Sequence, residues 1–258
     1  MIALLPLALL LAQTPSVATT AEERYVAELR ARIAQGDVDA EVALGNLYES
    51  GDSTLPLDMA QAAEWYRRAA EKGHAGAQVN VAMMYFEGHG VSRDVAQAIR
   101  WYEKAAGQQD AIAMFSLASI YASGAAAIAR DTAKAATWYR RAADQGLITA
   151  QYQLGLSYRD GRGVPRDASQ ATAWLLKAAD RGLADAQLEL GILLRRSPTT
   201  IVESHRWLNL AASLWKDEAQ RVRAARARDE LEQKMTAAER REAYRLATEW
   251  QDAHAWGK

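Results

Sequence analysis

The sequence contains no cysteine, which excludes disulfide bridges, thiolate catalysis and metal sites built from cysteine ligands. It also carries almost no net charge, because 31 lysine and arginine residues are balanced by 32 aspartate and glutamate residues. Nucleic-acid binding depends largely on the neutralisation of phosphates by cationic side chains. A chain with a formal charge of −1 is therefore not expected to bind nucleic acid.

Catalytic and metal-binding motifs are also missing. The sequence has no H-E-x-x-H, no G-x-S-x-G and no phosphate-binding P-loop, and the S-x-x-K formed by Ser213 and Lys216 lacks its companion motifs. His74, His205 and His254 are not spaced as metal ligands, and we interpret them as surface or loop histidines. We therefore predict no catalytic residue, no metal site and no cofactor.

Long apolar runs are confined to the N-terminus. Residues 2–12 read IALLPLALLLA, which is too short for a stable transmembrane helix, and Ser16-Val17-Ala18 supplies the small-x-small pattern of a signal-peptidase site. We predict a signal peptide over residues 1–18, cleaved after Ala18. The mature chain is then exported to the periplasm or secreted, with no membrane span.

A repeat dominates the rest of the chain. The segments WYRRAAEKG, WYEKAAGQQ, WYRRAADQG and WLLKAADRG begin at Trp65, Trp101, Trp138 and Trp174, and a degenerate copy, WLNLAAS, begins at Trp207. The tryptophans are 36, 37, 36 and 33 residues apart. A fixed period of this length is typical of solenoids built from stacked structural units.

A second pattern recurs in phase with the first. Its copies are AEVALGNLY, AQVNVAMMY, AMFSLASIY, AQYQLGLSY and AQLELGILL, and the shared positions at offsets 0, 4, 5 and 8 lie on one helix face. Offset 5 is always glycine or alanine, so that a neighbouring helix can approach closely. Each unit is therefore predicted to be a pair of helices, A and B.

Polar and glycine residues mark the ends of helix B. An aspartate lies seven residues before each of the first four tryptophans and is predicted to be the N-cap. Helix B is predicted to end near Gly73, Gly146 and Gly182, whereas Gln109 takes the glycine position in the second unit.

The turn between helix A and helix B first suggests an active site. In YFEGHGVSRD, which starts at Tyr85, His89 lies between two glycines and is followed by Arg93. The fourth unit repeats the segment as YRDGRGVPRD, with Arg162 in place of the histidine. The glycines are therefore interpreted as turn residues with positive φ, and His89 has no predicted catalytic role.

These motifs resemble Sel1-like repeats, relatives of the tetratricopeptide repeats. The resemblance implies an all-α fold, a right-handed superhelical solenoid with helix A on the concave side. We predict repeats over residues 38–213, divided at about 38–73, 74–109, 110–146 and 147–182, with a degenerate unit over 183–213. A capping helix is predicted over residues 19–37 and capping helices over 214–258, including one long helix from Trp215 to Lys234 and a last helix that starts with the capping box of Thr236 and Glu239.

Helix A also carries an apolar stripe that faces the predicted groove, and we interpret it as a candidate binding site for a protein or peptide partner. The predicted site residues are Val79, Met83, Phe86, Phe115, Tyr152 and Leu156. The alternative is that adjacent helices bury this stripe as ordinary core. The basic run of Arg221, Arg223, Arg226 and Arg228 is interpreted as a solvated capping face.

The predicted function is that of an exported, non-enzymatic scaffold that binds a protein or peptide in its groove. The family resemblance suggests a role in organising or regulating bacterial envelope proteins. Two alternatives remain open, a hydrolase acting on cell-wall or beta-lactam substrates and a secreted effector that binds a host protein.

Overall fold

The computed structural model describes residues 20–52, 54–125 and 128–254, and the predicted signal peptide lies outside these residues. Within the described ranges the chain forms helices and no β-strand. A short 3-10 turn, Pro198–Thr200, precedes α11. The helices are α1 (Ala21–Ala34), α2 (Val38–Ser50), α3 (Met59–Glu71), α4 (Ala75–Glu87), α5 (Val95–Gly107), α6 (Ala111–Ser123), α7 (Thr132–Asp144), α8 (Ile148–Asp160), α9 (Ala168–Asp180), α10 (Ala184–Leu194), α11 (Ile201–Leu214), α12 (Glu218–Glu232) and α13 (Ala237–Ala253).

The helices form where their capping residues predict. The carboxylates of Asp58, Asp94, Asp131 and Asp167 each accept a backbone N–H from the first turn of α3, α5, α7 and α9. These carboxylates satisfy donors that the helix itself leaves unpaired, and their charge suits the positive helix end. The predicted N-caps of helix B are thus confirmed.

Consecutive helices pack against each other along the whole array, which confirms the all-α solenoid of helix pairs. Helices α2, α4, α6, α8 and α10 are the A helices, and α3, α5, α7, α9 and α11 are the B helices. Small residues at offset 5 allow the close packing within a pair. A Cβ added to Gly45 would lie 2.7 Å from the Tyr66 ring, and one added to Gly191 would lie 2.7 Å from Leu208.

Buried glutamines connect one unit to the next. The side-chain amides of Gln78, Gln151 and Gln187 donate to the backbone oxygens of Ala70, Ala143 and Ala179 at distances of 3.1, 3.3 and 3.1 Å. Each acceptor is in the last turn of a B helix, where carbonyls have no partner within the helix. The contact therefore fixes the start of one A helix against the end of the preceding B helix.

The ends of the array are closed by α1, which packs on α2, and by α12 and α13, which both pack on α11. The predicted capping box of Thr236 and Glu239 is confirmed at the start of α13. The long helix predicted from Trp215 is wrong at its start, because Trp215 ends α11 and Asp217 caps a separate helix that begins at Glu218. None of the helices in the described part of the chain has the length and apolar content needed to cross a bilayer.

Candidate functional site

The predicted stripe lies on the A helices and is neither fully buried nor fully exposed. Met83 is 37% exposed, and the other five predicted residues are half-buried. Val79, Phe86 and Phe115 pack against the central core, whereas Tyr152 and Leu156 pack against a different cluster built around α9 and α11. The structure therefore divides the predicted stripe into two parts.

Three of the predicted residues line one cavity between α4 and α6. Met83 and Phe86 form one wall, Phe115 forms the opposite wall, and Tyr102 of α5 also lines the cavity. Its volume is about 310 Å³. Because this volume is at the small end of the range for ligand pockets, the cavity suits one or two large apolar side chains rather than a whole cofactor.

The aromatic walls of this cavity are held in place by neighbours. The Phe115 ring lies 5.6 Å from the Tyr139 ring at an angle of 54°. Arg93 donates from Nε to the backbone oxygen of Phe86 at 2.9 Å, and its guanidinium lies 5.8 Å from the Phe86 ring. Arg93 belongs to the α4–α5 turn that contains Gly88-His89-Gly90, called the GHG turn below, so this turn contributes to the cavity by holding Phe86.

Polar groups at this cavity are few and mostly engaged. The Ser119 hydroxyl donates to the Phe115 backbone oxygen at 3.0 Å, and the Ser123 hydroxyl donates to the Ser119 oxygen at 2.8 Å. Burial raises the pKa of Tyr102, which therefore stays neutral. The Glu87 carboxylate is exposed at the rim and lies 3.0 Å from Nδ1 of His89. The cavity is thus apolar inside and carries one acidic group at its edge.

The A-helix face has a different character at each end. In the first unit, the Tyr66 hydroxyl lies 2.6 Å from both Asn46 Oδ1 and Glu49 Oε2. The helix positions that Met83 and Phe86 occupy in α4 are thus polar in α2.

At the other end, charged groups bridge three helices. Arg159 of α8 donates to Asp160 and to Glu189 of α10, and Arg223 of α12 donates to Glu189 at 3.2 Å. Burial and the nearby carboxylates of Asp185 and Glu189 raise the pKa of Tyr152 to about 12. Tyr152 thus lies near a charged network and is not part of the apolar cavity.

The GHG turn is a structural connection between α4 and α5. Gly88 is the left-handed C-cap of α4, and Gly90 has a φ of 68°. His89 is exposed, and the turn interpretation is confirmed. Among residues 20–52, 54–125 and 128–254, no group of three or more acidic, histidine or cysteine side chains could hold a metal ion.

The surface interpretation of His205 is wrong. This residue is fully buried in α11, and its Nε2 lies 2.8 Å from the Glu232 carboxylate of α12. Its ring also meets the Tyr244 ring of α13 edge-on at 4.9 Å. His205 therefore joins three helices of the C-terminal cap, which its position outside the regular repeats did not reveal.

The arginines of α12 that were predicted to form a solvated face are mostly engaged in ion pairs. Arg223 and Arg228 pair with Glu189 and Asp229, and Arg221 lies 3.9 Å from Glu218. Three of these four arginines thus have an acidic neighbour within the chain, which leaves Arg226 with no ion pair to a described residue.

Comparison with known families supports the repeat assignment. A family model described as Sel1 repeat matches residues 38–74, 75–110, 111–147 and 148–183, which is more than half of the chain. No curated protein matches the chain.

A solved structure of a similar protein shows the same fold. A Sel1 repeat protein from Oxalobacter formigenes is 31% identical, with a TM-score of 0.68 over 76% of this chain and 81% of that chain. A Sel1 repeat protein from Klebsiella pneumoniae subsp. pneumoniae is 21% identical, with a TM-score of 0.45, and the match covers 80% of this chain and 99% of that one. The immunity protein Pa5087 from Pseudomonas aeruginosa is 19% identical, with a TM-score of 0.44 over 75% and 81% of the two chains.

Proposed function

The chain belongs to the Sel1 repeat family, and from this membership we propose that it is a non-enzymatic scaffold that binds a segment of a partner protein in the cavity between α4 and α6. Sel1 repeats form helical scaffolds that generally mediate protein interactions.

The observation that carries this proposal is the exposure of Met83 beside Phe86 and Phe115. An apolar cavity that opens to solvent and is edged by polar groups is the usual form of a peptide-binding site. Binding energy in such sites is concentrated in a few apolar anchors that fill a pocket. We therefore expect the partner segment to insert one large apolar side chain between Met83, Phe86 and Phe115.

The chemistry of the cavity supports binding rather than catalysis. The hydroxyls of Ser119 and Ser123 donate within their own helix, and the exposed Glu87 has no described nucleophile or base beside it other than His89 on the same turn. A catalytic site needs a nucleophile, or an acid and a base, directed at one point. The proposal therefore favours the scaffold over a cell-wall or beta-lactam hydrolase.

The first 18 residues support export, and we include the periplasm or the exterior of a bacterium in the proposal, with a role in organising or regulating envelope proteins. Fractionation of cells that express the full chain tests this part. Recovery of a mature chain that starts at Thr19 in the periplasm or medium is expected. Recovery of the uncleaved chain in the cytoplasm would contradict it.

The binding proposal is tested with peptides selected from a random library on the purified wild-type protein. The selected peptides are expected to share a large apolar residue. Met83→Glu places a charge in the cavity, and because Met83 is already exposed the fold should be retained. We expect this change to weaken peptide binding at least about tenfold, as measured by fluorescence anisotropy.

The matched control is Leu176→Glu on α9. Leu176 is 38% exposed, nearly the same as Met83, but it lies on a B helix away from the cavity. Peptide binding by this variant should equal that of the wild type. Equal binding by Met83→Glu and Leu176→Glu would show that the cavity is not the site.

A further inference from the structure

Two adjoining cavities lie where the fifth unit departs from the repeat pattern. One, of about 290 Å³, lies between the α8–α9 turn and the end of α10, and is lined by Arg166 and Leu193 among others. The other, of about 320 Å³, lies between the end of α10 and α12, and is lined by Leu231 and Lys234 among others. Arg196 lines both cavities.

Three carboxylates line these cavities: Glu230 approaches Arg195 only to 3.7 Å, and the other two are already engaged within the chain. Asp160 accepts from Arg159 and Arg162, which lowers the pKa of its carboxyl to about 2 and keeps it ionised. Asp167 is the N-cap of α9 and accepts from the backbone of Gln170. Neither carboxylate is available to balance further positive charge.

Several cationic groups in the same cavities are not balanced. Arg166, Arg196 and Lys234 form no ion pair with any residue that the structure describes, and Arg195 approaches Glu230 only to 3.7 Å. Five cationic and three acidic side chains line the two cavities, so positive charge is in excess there on a chain whose net charge is −1. Clefts in which one sign of charge predominates attract ligands of the other sign.

The repeat pattern does not account for the arginines at positions 195 and 196. In the fourth unit the turn after helix A reads RDGRGVPRD from Arg159, whereas in the fifth unit the segment from Arg195 reads RRSPTT and forms a 3-10 turn. The glycines that shape the regular turns are absent there, and the N-cap aspartate is replaced as well. Arg195 and Arg196 thus have no role in the turn that the repeat explains.

Each cavity also has an apolar wall. Leu193 lines the first, and Leu231, which is 5% exposed, lines the second together with Ala227. A ligand that fills both cavities gains from carboxylates placed near Arg166, Arg196 and Lys234, and from apolar side chains between them. An inorganic anion would make no apolar contact with Leu193 or Leu231. A membrane surface is flat and cannot enter two concave sites.

We propose that these adjoining cavities bind an acidic segment of a partner protein, in which carboxylate side chains alternate with apolar ones. The segment lies across Arg196 and places acidic residues in both cavities. This site is separate from the cavity between α4 and α6 and does not depend on the function proposed for that cavity.

The probe is a short fluorescein-labelled peptide in which glutamate alternates with leucine, and its control is the same peptide with glutamine in place of glutamate. Binding to the full chain is measured by anisotropy over a range of salt concentrations. The triple variant Arg166→Gln, Arg196→Gln and Lys234→Gln should weaken binding about tenfold, because exposed ion pairs contribute modestly and three are lost. Rising salt should weaken wild-type binding as well.

The matched control is Lys216→Gln, Arg221→Gln and Arg226→Gln, which removes the same number of charges from exposed positions outside both cavities. It should bind within about twofold of the wild type. Equal losses in the two triple variants, or equal binding of the glutamine peptide, would overturn the proposal. So would binding of phosphate or phosphatidylglycerol vesicles by a protein that does not bind the glutamate peptide. If the triple variant fails to fold, Arg196→Glu alone should reproduce the loss, and wild-type affinity in that variant would also overturn it.

Discussion

The two glycines of the α4–α5 turn serve two purposes. Gly88 ends α4 in a left-handed conformation, as glycine commonly does after a helix. Gly90 has a φ of 68° and also lies against the first turn of α3, where an added Cβ would be 2.0 Å from the Met59 oxygen. Gly163 repeats this contact against Thr132 at 1.9 Å. The second glycine therefore allows one unit to approach the backbone of the preceding unit.

Because Gly90 lies against the Met59 backbone and Gly73 has no such neighbour, alanine is expected to destabilise the protein more at Gly90 than at Gly73. Gly73→Ala introduces a side chain at a φ of 94° with no atom within 4 Å of its Cβ, so only backbone strain is expected, about 1–2 kcal/mol. Gly90→Ala adds a clash with the Met59 backbone to similar strain. We expect Gly90→Ala to lower the free energy of unfolding by at least about twice as much as Gly73→Ala, measured by urea denaturation.

The two variants control each other, because each places alanine at a positive φ. Equal destabilisation would mean that the contact with Met59 has no energetic role. Peptide binding to the cavity between α4 and α6 provides a second measurement for Gly90→Ala. A shifted turn in this variant also moves Arg93 away from the Phe86 backbone, which forms part of the cavity.

Single residues could be predicted where the repeat imposes one conformation. The glycines at the ends of the B helices have positive φ as predicted, and Gln109 takes the same conformation with a φ of 66° in the unit that lacks glycine. His205 could not be placed, because its environment depends on Glu232 and Tyr244 in helices outside the repeat pattern. Local sequence carries information on backbone conformation but not on contacts between distant helices.

The C-terminal helices are connected by a polar cluster around the buried His205. Glu232, at the end of α12, accepts from the Tyr244 hydroxyl of α13 at 2.7 Å and lies 2.8 Å from His205 of α11. The hydrogen bonds from His205 and Tyr244 hold the pKa of Glu232 below its usual range, and Arg228 acts in the same direction. A carboxyl with a lowered pKa stabilises the fold above its unfolded pKa, and this stabilisation is lost as the pH falls through the folded pKa.

Glu232→Gln should therefore destabilise the protein by about 1 kcal/mol near neutral pH. The difference from the wild type should shrink as the pH falls through the lowered pKa of Glu232, where the wild-type carboxyl gains its proton. Urea denaturation at neutral and acidic pH measures both values.

A nearby carboxylate provides the control for this prediction. Glu230→Gln removes the same charge two residues away, where the only described partner is Arg195 at 3.7 Å. Its effect should be small at either pH. A difference between Glu232→Gln and the wild type that stays constant with pH would contradict the linkage.

Helix positions were predictable because five copies of the same pattern confirm one another, whereas α12 has no copy and its start at Glu218 was not found. The candidate site was predictable in part for the same reason. Offsets along helix A place Met83 and Phe86 on one face, but the spacing between neighbouring helices decides which residues share a cavity. Tyr152 has the offset of Phe115 and nevertheless lies near a charged network and outside the cavity.

In the whole molecule, each helix pair packs mainly against the pairs beside it. The core is accordingly divided into clusters along the array, with Leu44 in the first cluster beside α1 and Leu208 in one beside α12. Stability in such arrays is approximately the sum of the stabilities of the units and of the interfaces between neighbours. Damage to one cluster should therefore remain local.

Leu44→Ala and Leu208→Ala test this property at opposite ends. Both leucines are fully buried, so each change should cost about 2–5 kcal/mol. Amide hydrogen exchange should increase in α1–α3 for Leu44→Ala and in α10–α13 for Leu208→Ala, and the central helices α5–α8 should stay protected in both variants. If either variant raised exchange uniformly from α1 to α13, the array would unfold as one cooperative unit. A partner bound between α4 and α6 would then be released by damage at either end, whereas local unfolding leaves that cavity intact.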